Sequence, residues 1–198
     1  MQDDHYYSAK PASAHRPGMV RFEHGGRALV FHTDSGVFSG GGLDTGTALL
    51  ISQMPQLCGR VADVGCGWGA IGVAVALDNP RCEVWMGDIN ERAVELATRN
   101  IGENRASGAR AVVSDGMAGM PGRFDAVITN PPIRAGKAKV YGIFEEACGR
   151  LMPGGALYIV MRKQQGAQSA IAFLKALPMQ VEVLKRGGGY WVIRAVCP

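Results

Sequence analysis

The stretch Asn130-Pro131-Pro132-Ile133 follows a run of mostly apolar residues, Phe124 to Thr129. A proline has no N–H, and the residue before a proline is held extended. The Pro131 carbonyl is therefore fixed in direction, with no amide donor beside it. With the side-chain oxygen of Asn130 it offers two acceptors. Such a pair suits a planar –NH2 group, whose nitrogen lone pair is delocalised and poorly nucleophilic. Two acceptors on its hydrogens favour pyramidalisation and aim the lone pair at an electrophile. Methyl transfer from a sulfonium to that nitrogen is an in-line displacement, governed by positioning and electrostatics rather than by a strong base. The plainer reading is a proline-rich turn after a strand.

A second candidate lies upstream, at Val61-Ala62-Asp63-Val64-Gly65-Cys66-Gly67-Trp68-Gly69. A strand runs into a glycine-rich turn that opens a helix, so the backbone turns tightly and a ligand approaches closely. Gly67-x-Gly69-x-x-Gly72 also matches a dinucleotide fingerprint, and neither match is specific alone. Charge separates the two readings. A pyrophosphate at the helix N-terminus wants no negative charge nearby, yet Asp63 stands two residues before the first glycine. A carboxylate there suits the ammonium and sulfonium of S-adenosylmethionine (SAM), which has no phosphate. Asp88 follows about 20 residues on, at the spacing of an acceptor for ribose hydroxyls, which NAD would use equally. Asp115 ends the next strand and is placed to accept from an adenine amino group, with Ile89 and Met117 flanking the ring. Each acid alone could be a turn cap. Three at the ends of consecutive strands, where α/β sheets bind ligands, point to a site.

These residues need a scaffold, and the pattern supplies one. From residue 60, β-rich runs alternate with helical periodicity, the signature of a parallel α/β sheet. Strands are expected at Arg60–Val64, Glu83–Ile89, Ala109–Ser114, Phe124–Thr129 and Ala156–Met161. Helices are expected at Gly69–Asp78, Glu91–Asn104, Lys137–Met152 and Gln168–Leu177. The Lys137–Met152 helix should end at Pro153-Gly154-Gly155. Val181–Lys185 and Tyr190–Val196 read as a closing antiparallel pair joined by Gly187-Gly188-Gly189. Upstream, Met19–Glu23 and Arg27–His32 alternate around Gly25-Gly26 and read as a β-hairpin. Asp44 to Gln53 reads as a helix capped by Asp44. The expected organisation is one domain over 1–198, with 1–55 as an N-terminal extension packed on the main sheet and 56–198 as the core.

Composition excludes several classes. The chain has 198 residues, 47% hydrophobic and 19% charged, in the range of an ordinary globular protein. Apolar runs such as Ala70 to Leu77 are too short to span a bilayer. The polar start Met1-Gln2-Asp3-Asp4-His5 does not read as a secretory signal, so the cytoplasm is the expected location and no membrane partner is expected. Five cysteines, none spaced Cys-x-x-Cys, argue against a disulfide framework or a zinc site. His5, His15, His24 and His32 form no ligand pattern, and no metal is expected. The net charge of +4 permits a nucleic-acid partner without requiring one. Arg134, Lys137, Lys139, Arg162 and Lys163, near the presumed site, could contact phosphates.

Taken together, Asp63-x-Gly65-x-Gly67-x-Gly69, Asp88, Asp115 and Asn130-Pro131-Pro132-Ile133 resemble the motifs of class I methyltransferases that modify exocyclic nitrogens. Thr33 to Ser39, Leu43-Asp44-x-Gly46-Thr47 and Ile133 to Lys137 narrow the resemblance to the methyltransferase small domain of the RsmC type, the small-subunit rRNA guanine-N2 methyltransferases. It runs from about His5 to Val196. It implies a Rossmann-like seven-stranded sheet, order 3-2-1-4-5-7-6, with SAM as cofactor and rRNA or the small ribosomal subunit as partner. It implies that Gly65, Gly67 and Gly69 line the methionine moiety, with Asp63 near its amino group, Asp88 at the ribose and Asp115 at the adenine. Asn130 and Pro131 would hold the target amino group, and the Asp44–Thr47 segment would close over the cofactor. Two features depart from the class. An aromatic often follows the prolines to stack on the base, where this chain has Ile133; Phe38 is a candidate to take its place. RsmC-type enzymes also often carry a second, N-terminal copy of the domain, for which this chain is too short.

Other functions compete. A protein glutamine-amide methyltransferase also attacks a planar –NH2 with an Asn-Pro-Pro motif, though usually with an aromatic next and a helical N-terminal domain. A DNA amino-methyltransferase needs a target-recognition region. A non-catalytic SAM- or RNA-binding module would not need Asn130, and an NAD-dependent dehydrogenase conflicts with Asp63. The oligomeric state is not readable from the sequence.

Overall fold

The computed structural model describes residues 13–39 and 41–198. The Met1–His5 stretch, and with it His5, lies outside the described residues. Strands β3 (Arg60–Val64), β4 (Glu83–Asp88), β5 (Ala109–Val113), β6 (Phe124–Thr129), β7 (Leu151–Arg162), β8 (Gln180–Gly187) and β9 (Tyr190–Val196) form one seven-stranded sheet. Its order is β5-β4-β3-β6-β7-β9-β8, and only β9 runs against its neighbours. Counted within the sheet, that is 3-2-1-4-5-7-6, the order the resemblance implies.

Side chains alternate between the two faces, so the sheet carries a core on each. Along β7, Ala156, Tyr158 and Val160 enter one core, while Leu157, Ile159 and Met161 enter the other. The first face is covered by α1 (Thr45–Ile51), α2 (Ala70–Asp78) and α3 (Glu91–Glu103). The second is covered by α4 (Lys137–Arg150) and α5 (Ala167–Ala176). Helix α2 is apolar nearly all round because it lies between the sheet and α1, and residues Ala70 to Ala76 are buried.

The hairpin of β1 (Gly18–His24) and β2 (Arg27–Thr33) forms around Gly25 and Gly26, both at positive φ as a tight two-residue turn requires. It packs on α3, while α1 of the same extension packs on β7 and β9 of the main sheet. Two asparagines one helical turn apart hold the hairpin on α3. Asn100 accepts from the His32 N–H (2.7 Å) and donates to the His32 carbonyl (2.9 Å). Asn104 does the same for Val30, at 3.0 and 2.7 Å. Alternate backbone groups of an exposed strand edge are thereby satisfied by a helix. Phe31 packs edge-on against Trp68, centroids 4.9 Å apart, and joins the hairpin to the glycine loop.

Helix α4 also ends earlier than expected, at Arg150. Leu151 already pairs with Phe124, and the register then shifts so that Ala156 pairs with Ala126. Met152 to Gly155 thus form an irregularity inside β7 rather than a helix terminus. Pro153 offers no N–H to the ladder, and Gly154 takes positive φ.

Candidate active site

The C-terminal ends of β3, β4, β5, β6 and β7 converge on one cavity of about 870 Å³. It sits where the strand order reverses between β3 and β6, the usual ligand crevice of an open α/β sheet. Of the residues singled out above, Gly65, Gly67, Asp88, Ile89, Asp115, Thr47, Asn130, Pro131, Pro132 and Ile133 line it, as do Phe38, Arg134, Lys139 and Arg162.

At the glycine loop, the Gly65 and Cys66 N–H groups donate to the Gly87 carbonyl (2.8 and 3.0 Å), which folds the loop over the end of β4. Gly65 and Gly67 both have positive φ, and no side chain crowds either. Asp88 is held by two amides, Gly67 N–H on one oxygen (2.8 Å) and Asn90 N–H on the other (2.9 Å). Its carboxylate is thus oriented at the cavity edge with acceptor capacity left, which fits a vicinal diol. Asp115 bridges to Lys139 of α4 across the mouth. Gly36 to Ser39 cover the loop from above, held by Asn90 donating to the Gly36 carbonyl (2.8 Å) and Arg92 to the Ser35 carbonyl (2.7 Å). Phe38 is 40% exposed there.

Three residues stand behind the wall instead. Asp63 is buried and accepts from the Gly72 N–H (2.9 Å). It thereby satisfies an open donor in the first turn of α2, whose own cap residue is Gly69, without a capping side chain. Burial pushes its carboxyl up to about 7, with Asp88 adding to the shift and the Gly72 N–H opposing it. Its other oxygen is buried without a hydrogen bond. A Cβ at Gly69 would meet the Met86 Cε at 2.7 Å, so that glycine serves helix–strand packing. Met117 is fully buried in the second core, with its N–H on Glu146 (3.0 Å). Cys66 does line the cavity, but burial pushes its thiol well above the usual range, and Asp88 and Asp63 push the same way. It is not a thiolate nucleophile at neutral pH.

Asn130 is the most constrained polar group on the wall. The Thr129 hydroxyl donates to the Val64 carbonyl (2.7 Å) and locks the end of β6 to the end of β3. The Asn130 amide nitrogen donates to Thr47 Oγ1 (3.0 Å) and Asp44 Oδ2 (3.3 Å). Both donors face α1, and the amide keeps its oxygen as acceptor. Asp44 also caps α1 through the Thr47 N–H at 3.0 Å, as its position implied. Tyr190, from the first position of β9, donates its hydroxyl to Asp44 Oδ1 (3.2 Å) and accepts from Arg162 Nε (2.7 Å). Gly46 makes room for that ring, since a Cβ there would lie 2.6 Å from Tyr190 Cε1. Sequence reasoning missed Tyr190 and Thr129; the aromatic beside the triple glycine was the one available signal for the former.

The cavity therefore joins a glycine loop able to take a methionine moiety, an oriented acid at diol spacing and an acceptor pair on the opposite wall. That donor and acceptor set fits SAM. A class I methyltransferase fold and site are thus defined by the geometry. The Methyltransferase small domain family matches residues 28–194, and the chain belongs to this family, whose methyl donor is SAM. YbxB of Bacillus subtilis is 40% identical over 196 residues, covering 97% of this chain and 98% of that protein. Ribosomal RNA small subunit methyltransferase C of Mannheimia succiniciproducens is 40% identical over 137 residues, covering 67% of this chain but 41% of that protein. The chain thus spans about two fifths of the length of that relative. The solved Thermus thermophilus 16S rRNA N2 G1207 methyltransferase (RsmC), in complex with AdoMet and guanosine, superposes with a TM-score of 0.82. It is 25% identical, over 95% of this chain and 52% of that one.

Proposed function

We propose that the protein methylates an exocyclic amino group, guanine N2 of small-subunit rRNA, acting in the cytoplasm as one catalytic domain with residues 1–55 as an extension. The observation that carries this reading is the Asn130 amide, whose two donors are both consumed on α1. Its oxygen and the Pro131 carbonyl are then acceptors for the two hydrogens of an –NH2 group. In this reading Pro132 keeps a competing N–H away from Pro131, and Ile133 with Phe38 packs against the base. Gly65 and Gly67 hold the methionine moiety, Asp88 the ribose, and Ile89 and Asp115 the adenine side. Thr47 contributes through Asn130, and Asp63, Gly69 and Met117 support from behind. SAM supplies an electrophilic methyl group on a sulfonium. Similarity to small-subunit rRNA methyltransferase C supports rRNA as substrate, and similarity to the Thermus thermophilus 16S rRNA N2 G1207 methyltransferase supports guanine N2 as target.

Methyl transfer from radiolabelled SAM tests this. The substrates are small subunits, free rRNA, large subunits and total protein, each from cells lacking the enzyme. Label recovered as N2-methylguanosine from small-subunit rRNA is the expected result. Label confined to protein would replace it with the glutamine-amide chemistry and keep the cofactor site. Asn130→Ala should lower transfer by about 10² to 10³ fold and leave SAM affinity within a few fold. Loss of SAM binding in that variant would place Asn130 on the cofactor instead.

A further inference from the structure

An asparagine amide can sit either way round. One orientation shows the cavity an acceptor, the other a donor that would repel an incoming –NH2. Something must choose, and Thr47 cannot, because a hydroxyl both donates and accepts. Tyr190 has the same ambiguity.

The two ends of the hydrogen-bonded chain have no such freedom. Asp44, when ionised, only accepts, and Arg162 only donates. Arg162 Nε donates to Tyr190 Oη (2.7 Å), so the Tyr190 proton must point to Asp44 Oδ1 (3.2 Å). Asp44 Oδ2 takes the Thr47 N–H (3.0 Å) and, at 3.5 Å, the Thr47 hydroxyl, so the lone pairs of Thr47 turn to Asn130. Asn130 must then present its NH2 to both. The Arg162 guanidinium also lies over the Tyr190 ring, 4.9 Å from its centroid, which fixes the donor end.

We propose that Asp44 is a positioning residue that sets the orientation of the Asn130 amide, with Arg162 and Tyr190 setting the direction of its hydrogen bonds. The methylation consequence rests on the function proposed above. The orientation itself does not.

Three variants separate anchoring from folding. Asp44→Ser keeps a good helix cap but withdraws the acceptor from Asn130 on its shorter side chain. Asp44→Asn keeps an oxygen at the Oδ2 position, because the Thr47 N–H donates there and so fixes which way round the new amide sits. Tyr190→Phe leaves the ring on Gly46 and removes only the hydroxyl. Asp44 and Tyr190 themselves line the cavity, so calorimetry measures the SAM affinity of each variant and transfer is compared at saturating SAM. In single-turnover transfer to small subunits, Asp44→Ser should slow the rate constant about tenfold or more, a loss typical of a misdirected polar contact. Asp44→Asn should recover most of it, and Tyr190→Phe should fall between. Equal rates in Asp44→Ser and the parent, or equal losses in Asp44→Ser and Asp44→Asn, would overturn the proposal. A readout without substrate uses the Asn130 side-chain amide in a ¹⁵N-labelled protein, assigned by its disappearance in Asn130→Ala. Its two protons should be shifted downfield and exchange slowly in the parent and Asp44→Asn, and lose both features in Asp44→Ser. An unchanged signal in Asp44→Ser would overturn the proposal whatever the substrate is. A parent that labels no ribosomal substrate but shows the expected amide behaviour would sink the proposed function alone.

Discussion

Single residues carry separable jobs, and burial decides which. Asp88 and Asp63 are both acids at strand ends, yet one faces the cavity and the other lies beneath it. Asp88→Ala removes the carboxylate proposed for the ribose diol and releases the Gly67 and Asn90 amides. SAM affinity should drop at least about tenfold, the scale of one charged hydrogen bond, and calorimetry at constant pH reads it. An unchanged affinity would remove Asp88 from the ribose role. Asp63 acts on stability instead. Its carboxyl sits at about 7 in the fold against an ordinary value of 3.8. Between those values the folded protein holds a proton that the unfolded chain has released. Stability from this group is therefore greatest below pH 4, falls as pH rises towards 7, and is level above that. Asp63→Asn mimics the neutral carboxyl and should abolish the slope, with a gain at pH 8 of up to about 4 kcal/mol relative to the parent. Urea denaturation of both proteins at pH 4.5, 6 and 8 checks the sign; a difference that does not grow with pH would show the carboxyl is already ionised.

At the scale of elements, the hairpin is joined to the helix that receives it by amides as well as by the buried Val20, Leu29 and Phe31. Asn100 is buried and serves three backbone groups, the His32 N–H, the His32 carbonyl and the Trp68 carbonyl at 2.7 Å. The last of these belongs to the glycine loop, so α3 ties hairpin and loop to one side chain. Asn100→Ala leaves these groups without their partner and should cost about 2 to 4 kcal/mol. Amide hydrogen exchange should speed up in β1 and β2 far more than in β6 or β7. Uniform loss of protection across the sheet would contradict a local role. The early end of α4 has a similar lesson. A proline and two glycines after a helix read as a stop, but Leu151 had a strand partner waiting in Phe124.

For the whole molecule, charge and cavity belong together. Arg134, Lys139 and Arg162 lie on the cavity wall with Asp44, Asp88 and Asp115, of which Asp115 pairs with Lys139, and Lys163 is exposed beside them. No helix of the described residues is long and apolar enough to cross a membrane. If these cations meet RNA phosphates, affinity for small-subunit rRNA should fall linearly on a log–log plot of binding against salt, by roughly one decade per decade for each phosphate neutralised. Filter binding between 50 and 300 mM KCl measures the slope, and a flat response would leave the rim without a phosphate role.

The alternation of strand and helix, the glycine turn, the acid at Asp88 and the Asn130-Pro131-Pro132 acceptors were legible because each is a local property. Periodicity, positive φ and the constraint before proline act within a few residues. The fold order came from the resemblance, not from periodicity. The contacts that orient Asn130 were not legible. Asp44 lies 86 residues from Asn130, and Tyr190 lies 146 from Asp44. Nothing in either segment marks the other, because the pairing exists only once β9 is inserted beside β7 and α1 lies across their ends. The same holds for Asp63. Its type and position marked an acid for a cation, but only the path of the loop over it decided that it would be buried against α2. Sequence determined which groups were available, and tertiary packing decided which of them face the cavity and which way round they sit.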